Sequence, residues 1–141
     1  MTALPLFEFS FPGPLREKLI AAVLDGSKSS TTSLLKGYEH EGSAPRQVGA
    51  RSVVIDSAER PVVIIETTSV RVVALSQVDL GHVVDEGEGL TTVADWRAEH
   101  ELGWHSAEQR AEFGEPEFTV NDETLLVLER FRVVEDLRTT R

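Results

Sequence analysis

The sequence predicts an α+β protein in which a small, mostly antiparallel β-barrel is flanked by helices. Two observations predict this fold. Apolar residues recur at helical spacing near the start and in the third quarter, whereas runs rich in Val, Ile and Thr dominate the middle and the end. Helices and strands that are grouped rather than alternating are typical of α+β proteins. The length of 141 residues suits one domain, which we expect to span 1–141 with a core at about 14–136.

The helices are predicted from apolar spacing, capping residues and breakers. The first begins at a proline, which suits the first turn of a helix, and ends at a glycine. Two later helices are opened by a serine or threonine with an aspartate three residues on, which resembles a capping box. The predicted segments are an extended lead-in at 1–14, a helix at 14–25, a helical turn at 34–39, a helix opened by Ser76 and Asp79 that reaches about 85, and a helix opened by Thr92 and Asp95 that reaches about 104.

The strands are predicted from runs of β-branched residues that are bounded by turn residues. Between them lie segments that are polar or acidic, and we interpret these as loops. The predicted strands are 48–56, 61–75, 118–120 and 124–134, with turns at 57–60 and 121–122, a polar stretch at 26–33 and an acidic loop at 105–117.

Composition narrows the possible functions. The chain has no cysteine, which excludes disulfides, thiolate nucleophiles and cysteine-based metal sites. Its net charge is −10, and the excess of acidic residues lies after residue 60, so we expect no binding to duplex DNA. No apolar run approaches the ~20 residues that span a bilayer, and we expect a cytoplasmic protein without a membrane partner. The histidines lack metal-ligand spacing, and we expect neither a metal ion nor a cofactor.

Lys28 lies among small hydroxyl residues directly after the first predicted helix. The pattern of a phosphate-binding loop is absent, because only a G-x-K fragment is present and it follows a helix rather than a strand. A lysine becomes a nucleophile or a base when burial lowers its pKa. From spacing alone, a solvated loop lysine is the alternative interpretation.

A second group of candidate residues follows in the third quarter of the chain. Glu88 lies between two glycines, which allow a backbone to approach a ligand closely, and its carboxylate could orient a lysine or move protons. An exposed acidic loop is the alternative. Trp96, His100 and Trp104 share one helix face, where they could stack on a base or anchor the helix on the sheet.

Four blocks of the chain, in order, resemble the ASCH family, a branch of the PUA-like β-barrels. The first is similar to the family's G-x-K-x-x-T signature, and the third is similar to an E-G-E turn that leads into a W-x-x-x-H helix. The resemblance covers about residues 14–136. The blocks are GSKSST at 26–31, VVIDSAERPVVIIETTSVRVVALSQVD at 53–79, DEGEG with VADWRAEHELGW between 85 and 104, and LLVLERFRVVEDL at 125–137.

The resemblance implies a PUA-like barrel with a cleft beside the first helix that handles RNA or nucleosides. One bacterial branch of the family hydrolyses N(4)-acetylcytidine with a lysine, a threonine and a glutamate. By motif, these fall on Lys28, Thr31 and Glu88. Other members are RNA-binding modules, ribonucleases or parts of transcription coactivators.

Two functions are therefore open. The first is an amidohydrolase that removes an acyl group from the exocyclic amine of a modified cytidine, with Lys28 attacking the amide or activating Thr31 or water. The second is a single-stranded RNA-binding module, with or without ribonuclease activity. The expected partner is accordingly a small nucleoside or single-stranded RNA. A basic groove for RNA would be formed by Lys18, Lys28, Lys36, Arg46 and Arg51.

One departure from the amidohydrolase pattern affects ligand recognition. Thr32-Ser33-Leu34 stands directly after the threonine of the signature, where an arginine could fix a ligand phosphate or carbonyl. Tyr38 and Arg51 could supply such contacts instead. The predicted ligand contacts are Ser29, Tyr38, Arg51, Trp96 and His100.

Overall fold

A computed structural model of the protein describes residues 4–140 and confirms the α+β class. Residues 1–3 of the predicted lead-in and residue 141 of the predicted domain lie outside the described residues. The elements are β1 Leu6–Phe7, α1 Pro14–Asp25, β2 Ser30–Leu34, α2 Leu35–His40, β3 Arg51–Ile55, β4 Pro61–Ala74, a 3₁₀ turn Leu75–Gln77, α3 Leu80–Asp85, α4 Val93–Trp104, α5 Ala107–Phe113, β5 Leu125–Asp136 and a 3₁₀ turn Leu137–Thr140.

The strands form one five-stranded sheet in the order β1-β3-β4-β5-β2. The β1–β3 pair is parallel, and the other pairs are antiparallel. Within residues 4–140, the edge strands β1 and β2 do not pair with each other, so the predicted closed barrel is not formed. The register of β4 against β5 shifts twice, and such bulges bend a sheet. Because β1 has only two residues, the bent sheet remains open at that edge.

The helices confirm most of the predicted boundaries. The first runs over Pro14–Asp25 as predicted, and α4 begins at Thr92, whose hydroxyl accepts from the Asp95 N–H at 3.1 Å. For α3 the predicted cap is wrong, because Asp79 rather than Ser76 caps the helix and the preceding residues form a 3₁₀ turn. None of the described helices is long and apolar enough to cross a membrane.

Three predicted segments are wrong, namely two loops and one short strand. The acidic segment 105–117 contains α5, which begins at Ser106 as N-cap and ends at Gly114 in a left-handed conformation. The Ser106 hydroxyl accepts from the Gln109 N–H in an S-x-x-Q cap. This cap favours a helix, although the acidic composition of the segment had suggested a loop. Residues 118–120 are not a strand, and the polar stretch 26–33 contains most of β2. That strand pairs with β5, and pairing rather than hydrophobic alternation stabilises it.

Two hydrophobic cores lie on opposite faces of the sheet. Successive side chains of a strand point to opposite faces, so Leu126 and Leu128 of β5 enter one core while Phe131 enters the other. The same alternation on β2 places Thr31 and Thr32 on different faces. The first core contains Phe7, Phe9, Leu19, Ile20, Val23, Val54, Val62, Val63, Ile65 and Phe131; the second contains Leu34, Leu75, Val78, Val83, Trp96, Trp104, Phe113, Val120, Leu126 and Leu128.

Candidate active site

The loop that carries Lys28 lies between the end of α1 and the end of α3. Gly26 adopts a left-handed conformation with φ 88° and ends α1. On the other side, the Ser29 N–H donates to the Asp85 carbonyl oxygen at 2.7 Å. Gly87 has φ 71°, and a Cβ at this position would stand 2.3 Å from a carbonyl oxygen of the lysine loop. Only glycine therefore allows α3 to approach the loop this closely.

Lys28 is buried, with 4% of its surface exposed. Its Nζ donates to the carbonyl oxygens of Ser30 at 2.8 Å and of Glu86 at 3.4 Å. Burial lowers the pKa of Lys28, whereas the negative charges of Glu86 and Glu88 oppose that change in part. A buried lysine with a lowered pKa loses its proton more readily and can then act as a base or nucleophile. The alternative of a solvated loop lysine is therefore wrong.

Glu86 is the central carboxylate of the site and is only 1% exposed. Trp96 Nε1 donates to its Oε1 at 2.9 Å, and His100 Nε2 lies 3.2 Å from the same oxygen. The Thr32 hydroxyl donates to Oε2, and His82 Nε2 lies 3.2 Å from that oxygen. Burial raises the pKa of Glu86, but the hydrogen bonds of the two histidines outweigh it, so the pKa lies well below the ordinary value. Glu86 therefore stays charged.

The two histidines of the site are oriented by their second ring contacts. His100 Nδ1 lies 2.9 Å from the Trp96 carbonyl oxygen, which can only accept, so Nδ1 carries a proton. Burial lowers the pKa of His100, but the hydrogen bond and charge of Glu86 raise it above the ordinary value overall. His82 Nε2 lies 2.7 Å from the hydroxyl of Thr32, while its buried Nδ1 has no hydrogen-bond partner among residues 4–140. Because this hydroxyl already donates to Glu86, it accepts from His82.

Glu88 is the carboxyl group that remains available for proton transfer. It is partly exposed, and burial raises its pKa above the ordinary value, with the charge of Glu86 acting in the same direction and that of Lys28 opposing it. A carboxylate offers about four acceptor positions, and four N–H or O–H groups surround those of Glu86. Glu88 is therefore the better candidate for exchanging a proton, whereas Glu86 supplies a fixed negative charge. The Glu86 cluster comprises Lys28, Thr32, His82, Glu86, Glu88, Trp96 and His100.

The same cluster offers a geometric possibility for a cation. One ligand atom each from Glu86, Glu88 and His100 lies within 4.8 Å of the others. The donor set does not fit a metal ion, however, since the oxygens of Glu86 already face N–H and O–H groups. His100 Nε2 is also turned toward the Glu86 carboxylate, 3.2 Å from its Oε1. We assign no metal ion to these residues.

A second buried carboxyl group lies on the opposite face of β2. Thr31 is 9% exposed and stands directly opposite Glu129 on β5. Glu129 is 2% exposed, accepts from the Tyr38 hydroxyl at 3.1 Å and lies 3.6 Å from Arg46 Nη1. Burial raises the pKa of Glu129, and its Oε1 has no partner within the described residues. We call these four residues the Glu129 cluster; the catalytic role of Thr31 stays a prediction.

A cleft of about 390 Å³ is lined by one residue of the Glu86 cluster and by two residues of the Glu129 cluster. Thr32 and Trp104 line it, and each contacts the Glu86 cluster as well, since the Trp104 ring centroid lies 5.3 Å from that of His100. Tyr38 and Arg46 line the same cleft. A ligand in this cleft would therefore contact the Glu129 cluster while its other end lies beside the Glu86 cluster.

Comparison with known proteins places the chain in a family. The family model for the ASCH domain matches residues 8–135, most of the chain. The chain belongs to the ASCH domain family. The crystal structure of an ASCH domain from Lactobacillus crispatus JV V101 is similar, with 30% identity, a TM-score of 0.78, and 94% of this chain and 80% of that one covered. No curated protein matches the chain.

Two further solved structures resemble this ASCH domain. A DUF984-family protein from Enterococcus faecalis V583 is 26% identical, with a TM-score of 0.83, and the match covers 99% of this chain and 81% of that one. The hypothetical protein PH0355 is 9% identical with a TM-score of 0.56, covering 89% of this chain and 100% of that one, and shows a shared fold alone.

The ASCH domain places its predicted ligand contacts in different environments. Tyr38 lines the cleft, and His100 is partly exposed. Trp96 is fully buried, so its predicted stacking on a ligand is wrong, and its role is to hold a carboxylate. Arg51 is exposed on β3 and pairs with a glutamate of β4 at 3.1 Å. Ser29 contacts α3 and β5 through its main chain.

The sequence analysis missed several residues of the site. His82 and Glu86 are four residues apart on a helix with an aspartate cap, and this spacing could have indicated that they meet. Thr32 stood next to the threonine of the family signature and carried no signal of its own. Arg46 was considered only for a basic groove. Its contact with Tyr38 joins a loop to a helix, and no local pattern of the sequence indicates such a contact.

The basic groove that would serve RNA binding is largely neutralised by ion pairs. Lys28 is buried, and Arg46 lies beside Glu129. Of the residues proposed for this groove, Lys18 alone is exposed without an ion pair within the described residues. The remaining pairs are Lys36 with Glu115 and Arg51 with Glu66.

Proposed function

We propose that this ASCH domain is an amidohydrolase that removes an acyl group from the exocyclic amine of a modified cytidine. The observation that carries the proposal is the environment of the Lys28 amine. A neutral amine has two N–H groups and one lone pair, and two carbonyl oxygens accept the N–H groups of Nζ. The lone pair is then left for a proton or for an electrophile. The substrate class is suggested by the family resemblance of Lys28, Thr31 and Glu88.

The raised pKa of Glu88 complements the lowered pKa of Lys28. Hydrolysis of an amide needs a base that accepts a proton from water and an acid that donates one to the departing nitrogen. A lysine whose pKa is lowered can supply the base, and a carboxyl group whose pKa is raised can supply the acid. Lys28 is the base in this assignment, and Glu88 is the acid.

The reaction proceeds by addition of water. Water gives a proton to the Lys28 amine, and its oxygen bonds to the amide carbonyl carbon. The C–N bond then breaks while Glu88 gives its proton to the exocyclic nitrogen. The products are a carboxylic acid and cytidine, and the Lys28 ammonium returns its proton to the Glu88 carboxylate. We infer that the acyl group enters past Glu88 and His100, which are partly exposed, because Lys28 itself is almost fully buried.

Release of cytidine from N(4)-acetylcytidine, followed by chromatography, tests the proposal. We expect turnover by the wild type, a loss of about 10²-fold or more in Lys28→Met, and no change in Lys18→Met, an exposed lysine on α1. Methionine keeps the apolar stem of the buried lysine, and thermal unfolding of both variants checks that they fold.

Full turnover by Lys28→Met would contradict the assignment of the base. If wild-type protein releases no cytidine but binds short single-stranded RNA with an affinity that falls steeply with salt, the RNA-binding alternative replaces the proposal.

A further inference from the structure

Arg46 is held in the cleft by three different contacts. Its Nη1 donates to the Tyr38 hydroxyl at 2.7 Å and lies 3.6 Å from Glu129 Oε2. The guanidinium carbon lies 4.2 Å from the centroid of the Phe7 ring. Arg46 comes from the loop between α2 and β3 and would otherwise sample many rotamers. These contacts fix the plane of the guanidinium before any ligand arrives, which is the condition for planar recognition.

The contacts of Arg46 use only part of its hydrogen-bonding capacity. A guanidinium has five N–H groups in a rigid fork. Within residues 4–140, the hydrogen bond of Arg46 involves Nη1, and its Nε and Nη2 groups make none. The side chain is 24% exposed and lines the cleft, so these N–H groups are within reach of a ligand there.

Glu129 lies behind Arg46 and Tyr38 as a buried support. Its Oε2 accepts from Tyr38 and faces Arg46, whereas its Oε1 is buried with no partner within the described residues. A buried carboxyl oxygen without a hydrogen bond is destabilising. Buried polar atoms without a partner are uncommon, and each one calls for a structural or functional explanation.

The cleft also borders the Glu86 cluster. Thr32 lines the cleft, and its hydroxyl donates to Glu86. Trp104 lines the cleft as well and contacts His100. A ligand whose ring lies against Arg46 and Tyr38 could therefore extend a substituent toward Thr32, whose hydroxyl donates to Glu86 beside Lys28.

We propose that Arg46 recognises the cytosine ring of the substrate by donating to its O2 and N3 atoms, with Tyr38 and Glu129 as positioning residues. The proposal rests on the proposed function for the identity of the base. Cytosine presents O2 and N3 as neighbouring acceptors, and a bidentate arginine matches two neighbouring acceptors. Uracil carries a hydrogen on N3, so an N–H group of Arg46 would face the N3–H donor of uracil instead of an acceptor.

Binding of unmodified nucleosides tests this recognition apart from catalysis. Calorimetry measures the affinity of the folded protein for cytidine and for uridine. We expect the wild type to prefer cytidine, and Arg46→Lys to lose about tenfold in cytidine affinity together with most of that preference. Arg132→Lys is the matched control, because Arg132 is an exposed arginine paired with Glu66 on the sheet; it should keep both.

Kinetics of N(4)-acetylcytidine hydrolysis test the positioning residues. Tyr38→Phe removes the hydroxyl that holds Arg46 and keeps the ring. We expect a higher KM with kcat nearly unchanged, since the ring would be bound less well but Lys28 and Glu88 stay in place. A purely structural role of this hydroxyl would lower the thermal midpoint without this selective change in KM.

The outcomes separate this inference from the proposed function. If the wild type hydrolyses N(4)-acetylcytidine and Arg46→Lys leaves both KM and cytidine affinity unchanged, recognition by Arg46 is wrong while the catalytic assignment stands. If no hydrolysis occurs but cytidine still binds with preference through Arg46, the recognition site stands alone. Equal binding of cytidine and uridine 5′-monophosphates, weakened equally by Arg46→Lys, would show that Arg46 holds a phosphate and would overturn the recognition of the base.

Discussion

The two buried glutamates of this ASCH domain, Glu86 and Glu129, are almost equally inaccessible, but their pKa values are shifted in opposite directions. Their exposed fractions are 1% and 2%. The pKa of Glu86 lies well below its ordinary value, whereas that of Glu129 lies above it. Burial acts in the same direction on both, so the difference comes from their partners.

The number and placement of donors decide that difference. Both oxygens of Glu86 face N–H or O–H groups, including the ring nitrogens of His82 and His100. Glu129 has a hydrogen bond from Tyr38 to one oxygen, and its other oxygen has no partner within the described residues. Burial alone therefore does not predict the charge of a carboxyl group; the hydrogen bonds to its charged form must be counted.

The largest expected effect concerns Glu88. The Glu86 cluster contains this carboxyl group, which we propose as the proton donor, and the Glu129 cluster has no proposed proton donor. Glu88→Gln should lower kcat for N(4)-acetylcytidine by about 10²- to 10⁴-fold, because the amide cannot donate the proton. The negative charge of Glu88 opposes the lowering of the Lys28 pKa, so its removal should lower that pKa further. Since activity rises as Lys28 loses its proton, the rising limb of the pH profile should move to lower pH.

The control for this change is Glu135→Gln, an exposed carboxylate at the end of β5. It should leave both kcat and the pH profile as in the wild type. An unchanged rising limb in Glu88→Gln would contradict the coupling of Glu88 to Lys28.

The second effect concerns the close approach that builds the Glu86 cluster. Gly87→Ala should reduce the free energy of unfolding by about 3 kcal/mol, because the new Cβ overlaps the lysine loop and the residue has a positive φ. Gly89→Ala is the matched control: φ is 81° there as well, but no atom lies within 4 Å of the added Cβ. Its cost should be about 1 kcal/mol. Equal losses in urea unfolding would show that backbone conformation, not the close approach, matters at residue 87.

The third effect compares the two buried glutamates directly. Glu86→Gln should lower the free energy of unfolding at pH 7 by about 2–3 kcal/mol, because it removes a charge that several buried donors require. The folded pKa of Glu86 is lowered, so its stabilisation is present above about pH 4.5, its ordinary pKa, and is lost as the pH falls below that. The deficit of Glu86→Gln should therefore shrink in acid.

Glu129→Gln should behave in the opposite way. The folded pKa of Glu129 is raised, so the protonated carboxyl is favourable below its ordinary pKa of about 4.5, and that advantage is lost as the pH rises. Gln resembles the protonated form and should change stability at pH 7 by less than about 1 kcal/mol, or increase it slightly. Urea unfolding at pH 7 and pH 4 measures both variants. A large loss in Glu129→Gln at pH 7 would mean that the two glutamates do not differ.

Local patterns predicted the elements that their own residues specify. The first helix was predicted over its whole length, because a proline at its start and a glycine at its end are sufficient signals. The cap at Thr92 was also predicted. In contrast, β2 was hidden in a polar stretch, since its pairing with β5 depends on residues about a hundred positions away. Within residues 4–140 the sheet does not close into the predicted barrel, since closure requires pairing between the distant edge strands β1 and β2, which no local pattern specifies.

The sequence by itself determined an α+β ASCH domain and selected Lys28 and Glu88 as candidate site residues, because a signature keeps its spacing along the chain. Only the tertiary structure decided which groups surround them. It brought Glu86 of α3 to the indole of α4 and placed Arg46 of a loop against Tyr38 of α2. Such contacts depend on the packing of separate elements, and packing determines burial and donor number. These in turn decide which carboxyl group is charged and which can transfer a proton.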